Sequence, residues 1–174
     1  MHPRKNIARL LLAFDRFVTE HPSDARLLIV GERFWWDDRM QHAFTSMRHG
    51  DRVRFTGRLN QEALHQALGG AQALAFVSYF EGFGIPVAEA MRCGVPVVAA
   101  RATSLPEVAG DAAHYCDPFD VDDIARALHE VVTDAALRDR LGRAGIARAA
   151  QFTWERAATD LWASFERMLK AAGR

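Results

Sequence analysis

Residues 73–90 read Ala73-Leu74-Ala75-Phe76-Val77-Ser78-Tyr79-Phe80-Glu81-Gly82-Phe83-Gly84-Ile85-Pro86-Val87-Ala88-Glu89-Ala90. The run at 73–78 is short and apolar, which predicts a buried strand. Gly82 and Gly84 bracket an aromatic residue and predict a sharp turn, because glycine adopts backbone conformations closed to other residues. Pro86 then suits the first turn of a helix, where its missing N–H costs nothing. The order strand, glycine turn, helix is one unit of an α/β domain.

The same unit recurs on both sides. Downstream, 95–100 (VPVVAA) reads as a strand and a helical turn starts near Ser104. Residues 113–116 form a further strand, and 121–133, 135–150 and 154–171 read as helices. Upstream, apolar residues at helical spacing cover 6–20, with strands at 26–31 and 52–57 and helices at 37–49 and 61–68. Short apolar strands between helices predict a parallel sheet covered on both faces. Right-handed crossovers make that a doubly wound, Rossmann-like domain whose ligand lies beyond the carboxyl ends of the strands. The segments after Gly31, Gly57, Ser78 and Ala100 therefore hold the candidate site. The chain opens on a helix where such a domain opens on a strand that is central in the usual order. The expectation is that this first strand is missing from the 174 residues, which otherwise form one domain with a C-terminal helix at 154–172.

Composition narrows the function classes. The chain is 49% hydrophobic and 25% charged, as in ordinary globular domains. Basic and acidic residues balance at 22 each, so the charge excess of a non-specific nucleic-acid binder is missing and no nucleic-acid partner is expected. No apolar run approaches the roughly 20 residues that a membrane helix needs. Cys93 and Cys116 form no metal pattern and suit a reducing, cytoplasmic setting. The histidines show no metal-ligand spacing, and no metal site is expected.

Chemistry concentrates at 81–89. Free N–H groups at a helix start form a ready anion site. Glu81 stands at the strand end and Glu89 in the opening turns of the helix. Carboxylates accept hydrogen bonds from paired hydroxyls. Two of them flanking an anion cradle suit a sugar–diphosphate–ribose ligand, with Glu81 on the sugar and Glu89 on the ribose diol. A structural explanation stands beside this one, since a glutamate early in a helix favours the macrodipole without any ligand.

The spacing Glu81-x7-Glu89 within EGFGIPVAEAM resembles that of family 4 retaining glycosyltransferases of the GT-B fold. Arg4-Lys5-Asn6, LLIVG (27–31), VRFTGRL (53–59), CGVPVVAA (93–100), SLPEVAGDAA (104–113), DPFD (117–120) and FTW (152–154) resemble that family in order and spacing. The chain resembles the C-terminal, nucleotide-sugar-binding half of such an enzyme. That implies a transferase with catalytic roles at Glu81, on the donor sugar, and Lys5, on the diphosphate. It also implies donor contacts at the backbone of Phe83, Gly84 and Ile85, at Glu89 on the ribose, and at Arg58 and Leu59 near the nucleobase. The backbone of Thr103 and Ser104 approaches the donor in this reading, while Arg4 either assists Lys5 or faces solvent. Ser104 and Glu107 also have the S-x-x-E spacing of a capping box, which favours a purely structural cap.

The resemblance implies transfer of a hexose with retention, without a metal or other cofactor, to a glycan or lipid-linked acceptor. The wording of RKN, SYFEGFGIP and SLPEVAGDAA is similar to mannosyltransferase-like members, which favours GDP-mannose and leaves UDP-sugars open. The implied partners are the nucleotide sugar and an N-terminal acceptor-binding domain. The implied location is cytoplasmic, with peripheral association at the inner face of the membrane through the full-length enzyme. The isolated chain is then expected to be inactive. The alternative is a non-catalytic nucleotide-sugar-binding subunit that works with a separate acceptor-domain chain. A Rossmann oxidoreductase fits poorly, because no G-x-G-x-x-G follows a first strand. Val77 replaces a proline common in relatives, and an arginine that many relatives carry before the phosphate lysine would precede Met1.

Overall fold

The computed structural model describes residues 1–173. A 3-10 turn at Pro3–Lys5 leads into α1 (Ile7–Glu20), followed by β1 (Leu27–Val30), α2 (Asp38–Thr45), β2 (Val53–Gly57), α3 (Gln61–Gly69) and β3 (Leu74–Phe76). Then come α4 (Ile85–Arg92), β4 (Val97–Ala100), α5 (Leu105–Ala109), β5 (Ala113–Cys116), α6 (Val121–Thr133), α7 (Ala135–Ala149) and α8 (Trp154–Ala171). Polar N-caps start several helices. Asp37, Asn60, Asp120, Asp134 and Thr153 each accept a backbone N–H from the first turn.

All strand pairs are parallel, in two ladders. One is β1–β2 and the other is β3–β4–β5. Among the described residues neither β1 nor β2 pairs with β3, β4 or β5. Residues at the N-terminus cross the carboxyl ends of both ladders. The Met1 amino group donates to the Glu32 carbonyl after β1, and Tyr79 N–H after β3 donates to the Arg4 carbonyl at 3.1 Å.

Burial follows position. Central β4 is buried at all four residues. In β1 only Ile29 is buried, while Leu28 and Val30 are exposed. The amphipathic α1 holds the two ladders together. Its Leu10, Leu11, Phe14, Phe17 and Val18 share one core with Ile29, Val53, Val77, Val98, and Ile124 and Val131 of α6. Each such large side chain contributes about 1.5–3 kcal/mol on burial. A second core on the other face joins α4, β4 and α5 through Val87, Met91, Val97 and Leu105. There α7 approaches α4 and the turn after it at backbone distance. A Cβ on Gly142 would lie 2.6 Å from the Gly94 carbonyl oxygen, and one on Gly145 would meet Met91 at 3.2 Å.

Helix α8 has no buried residue and exposes Trp154, Leu161, Trp162, Phe165, Met168 and Leu169. No helix among the described residues is long and apolar enough to cross a membrane.

Candidate functional site

The site forms where the loops after β3 and β4 meet the N-terminal turn. Gly84 adopts φ +99° and caps α4, so the chain reverses directly into the helix. Leu105 packs under it, and a Cβ at Gly84 would stand 2.7 Å from Leu105 Cδ2. Among the described residues, the N–H groups of Gly82, Phe83, Gly84 and Ile85 meet no acceptor. They form a row of free donors at the positive end of α4. Phe83 and Ile85 are exposed beside them.

Thr103 and Ser104, after β4, brace this loop. Thr103 holds a left-handed backbone (φ 47°), and its Oγ1 accepts from Glu81 N–H at 3.1 Å. Ser104 Oγ lies 3.0 Å from both the Glu81 and Phe83 carbonyl oxygens. The capping-box reading of Ser104 and Glu107 is thereby corrected. Ser104 has helical φ and ψ (−77°, −14°) rather than the extended conformation of an N-cap, and its side chain makes no capping bond. Its hydroxyl reaches the 81–83 loop instead.

Charge gathers beneath the loop. Glu81 is buried, and its Oε1 accepts from Lys5 Nζ at 2.6 Å. Arg4 Nη1 lies 3.9 Å from Glu81 Oε2 and is buried without a hydrogen-bond partner among the described residues. Arg4 therefore turns toward the site. Lys5 Nζ also stands 4.8 Å from the centroid of the Phe76 ring, which adds a cation–π contact. Asn6, next in sequence, is buried and ties the turn down. Its Nδ2 donates to the carbonyls of Val77 at 3.0 Å and Pro118 at 2.6 Å.

The remaining residues named from sequence spread along the same edge. Glu89 is half-buried, one turn into α4. Arg58 is exposed and Leu59 half-buried after β2. Glu32 Oε1 accepts from Arg58 N–H at 3.2 Å, and sequence alone gave no sign of that link. A cavity of about 490 Å³ opens beyond β4 and β5, lined by Arg101, Tyr115, Asp117, Phe119 and Arg126 among others. Lys5 and Arg4 thus stand at Glu81, at the start of the loop whose N–H groups are free, and Glu89 lies in the helix that the loop opens. No group of three or more His, Cys, Asp or Glu among the described residues could hold a metal ion.

Comparison with known proteins identifies the family. The family model for glycosyl transferases group 1 matches residues 1–148. O-antigen chain mannosyltransferase B of Escherichia coli is 38% identical over 160 residues, covering 92% of this chain and 42% of the relative. The MMP alpha-(1->4)-mannosyltransferase of Mycolicibacterium hassiacum is 30% identical over 171 residues, covering 96% and 41%. The chain thus spans less than half the length of these curated relatives. Sucrose-phosphate synthase from Thermosynechococcus elongatus superposes with a TM-score of 0.81 at 29% identity, over 97% of this chain and 43% of that one. The C-terminal domain of a glycosyl transferase group 1 family protein from Francisella tularensis shares the fold, with a TM-score of 0.75 at 20% identity over 87% and 80%. The chain belongs to the glycosyl transferases group 1 family and has the fold of a GT-B C-terminal domain, with mannosyltransferases among its relatives.

Proposed function

We propose that this chain is the donor-binding part of a retaining glycosyltransferase, and that it holds the nucleoside diphosphate of a sugar donor across the carboxyl ends of its strands. The observation that carries the reading is the convergence of Lys5, Arg4 and the free N–H groups of 82–85 around buried Glu81. In this reading Lys5 and the start of α4 meet the diphosphate. Glu81 contacts hydroxyls of the sugar, Glu89 the ribose diol, and the loop at Arg58 and Leu59 the base.

The chemistry follows from charge. When the bond from the anomeric carbon to the diphosphate breaks, negative charge grows on the departing oxygen. Cations and N–H dipoles already in place stabilise that charge without reorganising. The acceptor hydroxyl enters from the face the diphosphate leaves, forms the new C–O bond and gives its proton to the departing phosphate oxygen, which retains the configuration. No metal is part of this scheme. The acceptor site belongs to a further domain, as the larger size of the relatives supports. Mannosyltransferases among the relatives favour a mannose donor carried on GDP.

The test is calorimetric titration of the purified protein with GDP, UDP and ADP, with E89A as control. Saturable binding of one nucleotide that weakens in a folded E89A protein supports the reading and names the base. A folded wild-type protein that binds none of the three overturns it.

A further inference from the structure

We propose that Asn6 is a positioning residue, whose carboxamide fastens the turn carrying Arg4 and Lys5 across the ends of β3 and β5 and so fixes the Lys5 ammonium over Glu81. The functional part of this inference rests on the diphosphate reading of the site.

Asn6 caps the end of the 3-10 turn with its backbone, its N–H donating to the Pro3 carbonyl at 2.9 Å, but its side chain serves no helix cap. It precedes α1, yet its side chain makes no capping bond to that helix. Its φ of 60° and ψ of 30° are left-handed. Among non-glycine residues asparagine tolerates that region best, because its short polar side chain can bond locally. The residue is 4% exposed, and its side-chain polar atoms all have partners. The two N–H groups on Nδ2 reach two carbonyls, of Val77 at 3.0 Å and Pro118 at 2.6 Å, while Oδ1 accepts from Arg9 Nη1 at 3.1 Å. Those carbonyls lie on loops 41 residues apart in sequence, after β3 and after β5.

The other two residue types that readily adopt this backbone do not supply the set. Aspartate has the shape but no donors, and would set a carboxylate against two carbonyl oxygens. Glycine has the backbone but no side chain. The consequence for Lys5 is direct. Asn6 holds Val77, and the Arg4 carbonyl accepts from Tyr79 N–H at 3.1 Å, so residues 4–6 are pinned on either side of Ser78. From that fixed base the flexible Lys5 side chain spans to Glu81 Oε1.

The test uses the fact that the chain has only two lysines, Lys5 and Lys170. Protein labelled with ¹³C at lysine Cε gives one signal for each, and Lys170 serves as the solvent-exposed reference. In wild type the Lys5 signal stands apart from that of Lys170. In N6G, and in N6D as the second variant, it moves toward Lys170, as it does in E81Q. In the ligand arm GDP, UDP and ADP are each titrated against the parent nucleoside. N6G loses about tenfold of the preference for diphosphate over nucleoside, the scale of one charge-assisted hydrogen bond. In a K5M background the effect of N6G on that preference is much smaller than in wild type. A Lys5 signal unmoved in folded N6G and N6D overturns the proposal, as does an N6G effect that persists undiminished in K5M. If wild type binds no nucleotide, the diphosphate reading fails, and the lysine signal alone still decides whether Asn6 positions Lys5.

Discussion

Lys5 Nζ stands 2.6 Å from Glu81 Oε1, a pairing made across 76 residues of sequence. Each group occupies the other in the absence of ligand, so an anion arriving at Lys5 competes with Glu81. K5M is expected to weaken nucleoside diphosphate binding by about 10- to 100-fold, the scale of a hydrogen bond to a charged group. E81Q removes the competitor, so GDP or UDP without sugar should bind as tightly as to wild type or tighter. Calorimetry on the two variants checks both outcomes, and weaker diphosphate binding by E81Q would count against the competition.

Glu89 lies one turn into α4, away from the ion pair. Replacing it with alanine should cost about 1–3 kcal/mol of nucleotide affinity through lost hydrogen bonds to ribose. The same variant should no longer distinguish a nucleotide from its 2′,3′-dideoxy analogue. Persisting discrimination in E89A would remove Glu89 from the ribose site.

Gly84 combines φ +99° with 2.7 Å from a notional Cβ to Leu105. G84A therefore suffers both backbone strain and overpacking, each costing about 1–3 kcal/mol. Urea unfolding should show a lower midpoint for G84A, and a smaller drop when the same change is made in an L105A background, where the overpacking is gone. No drop at all in the L105A background would mean that the strain contributes nothing.

Acid should loosen the face formed by β5 and α6. Partial burial pushes the Glu130 carboxyl up, but hydrogen bonds from Arg126 and His114 outweigh it and hold the group below its ordinary 4.5. Asp123 shows the same balance: burial raises it, and bonds from the Asp117 N–H and Arg126 bring it below 3.8. Because the folded values are depressed, their stabilisation is present above those ordinary values and is lost as pH falls through the folded ones. Thermal unfolding should steepen below about pH 4.5 in wild type and less so in R126M. Parallel curves for the two proteins would reject the network as the cause.

The cysteines should react very differently. Cys93 is exposed, whereas Cys116 is buried and its thiol is pushed up to about 12, chiefly by that burial. Ellman's reagent at pH 8 should titrate one thiol in the native protein and a second only in denaturant. Two fast thiols in folded protein would contradict the packing around β5.

Much of the fold was legible because the apolar pattern changes period at each strand–helix boundary. Residues 113–116 and 121–133 match their elements. The errors have local causes. The strand read at 73–78 keeps its ladder only over 74–76, and the Val77 carbonyl bonds to Asn6 instead. The helix read at 37–49 ends at Thr45, and the chain then takes a 3-10 turn at 50–52, with His49 N–H held by Asp15 at 2.8 Å. The glycine turn was readable, since its signal is local. The Lys5–Glu81 pair, the Ser104 brace and the Asn6 tie were not, because each joins distant segments through a side chain whose partner no spacing reveals.

The division of the strands into two ladders doubles the boundaries at which β structure can grow. One undivided sheet ends in two edges, whereas β1, β2, β3 and β5 here each present one. Each edge offers backbone donors and acceptors to any extended chain that meets it. At β1 the exposed Leu28 and Val30 add apolar surface to that invitation.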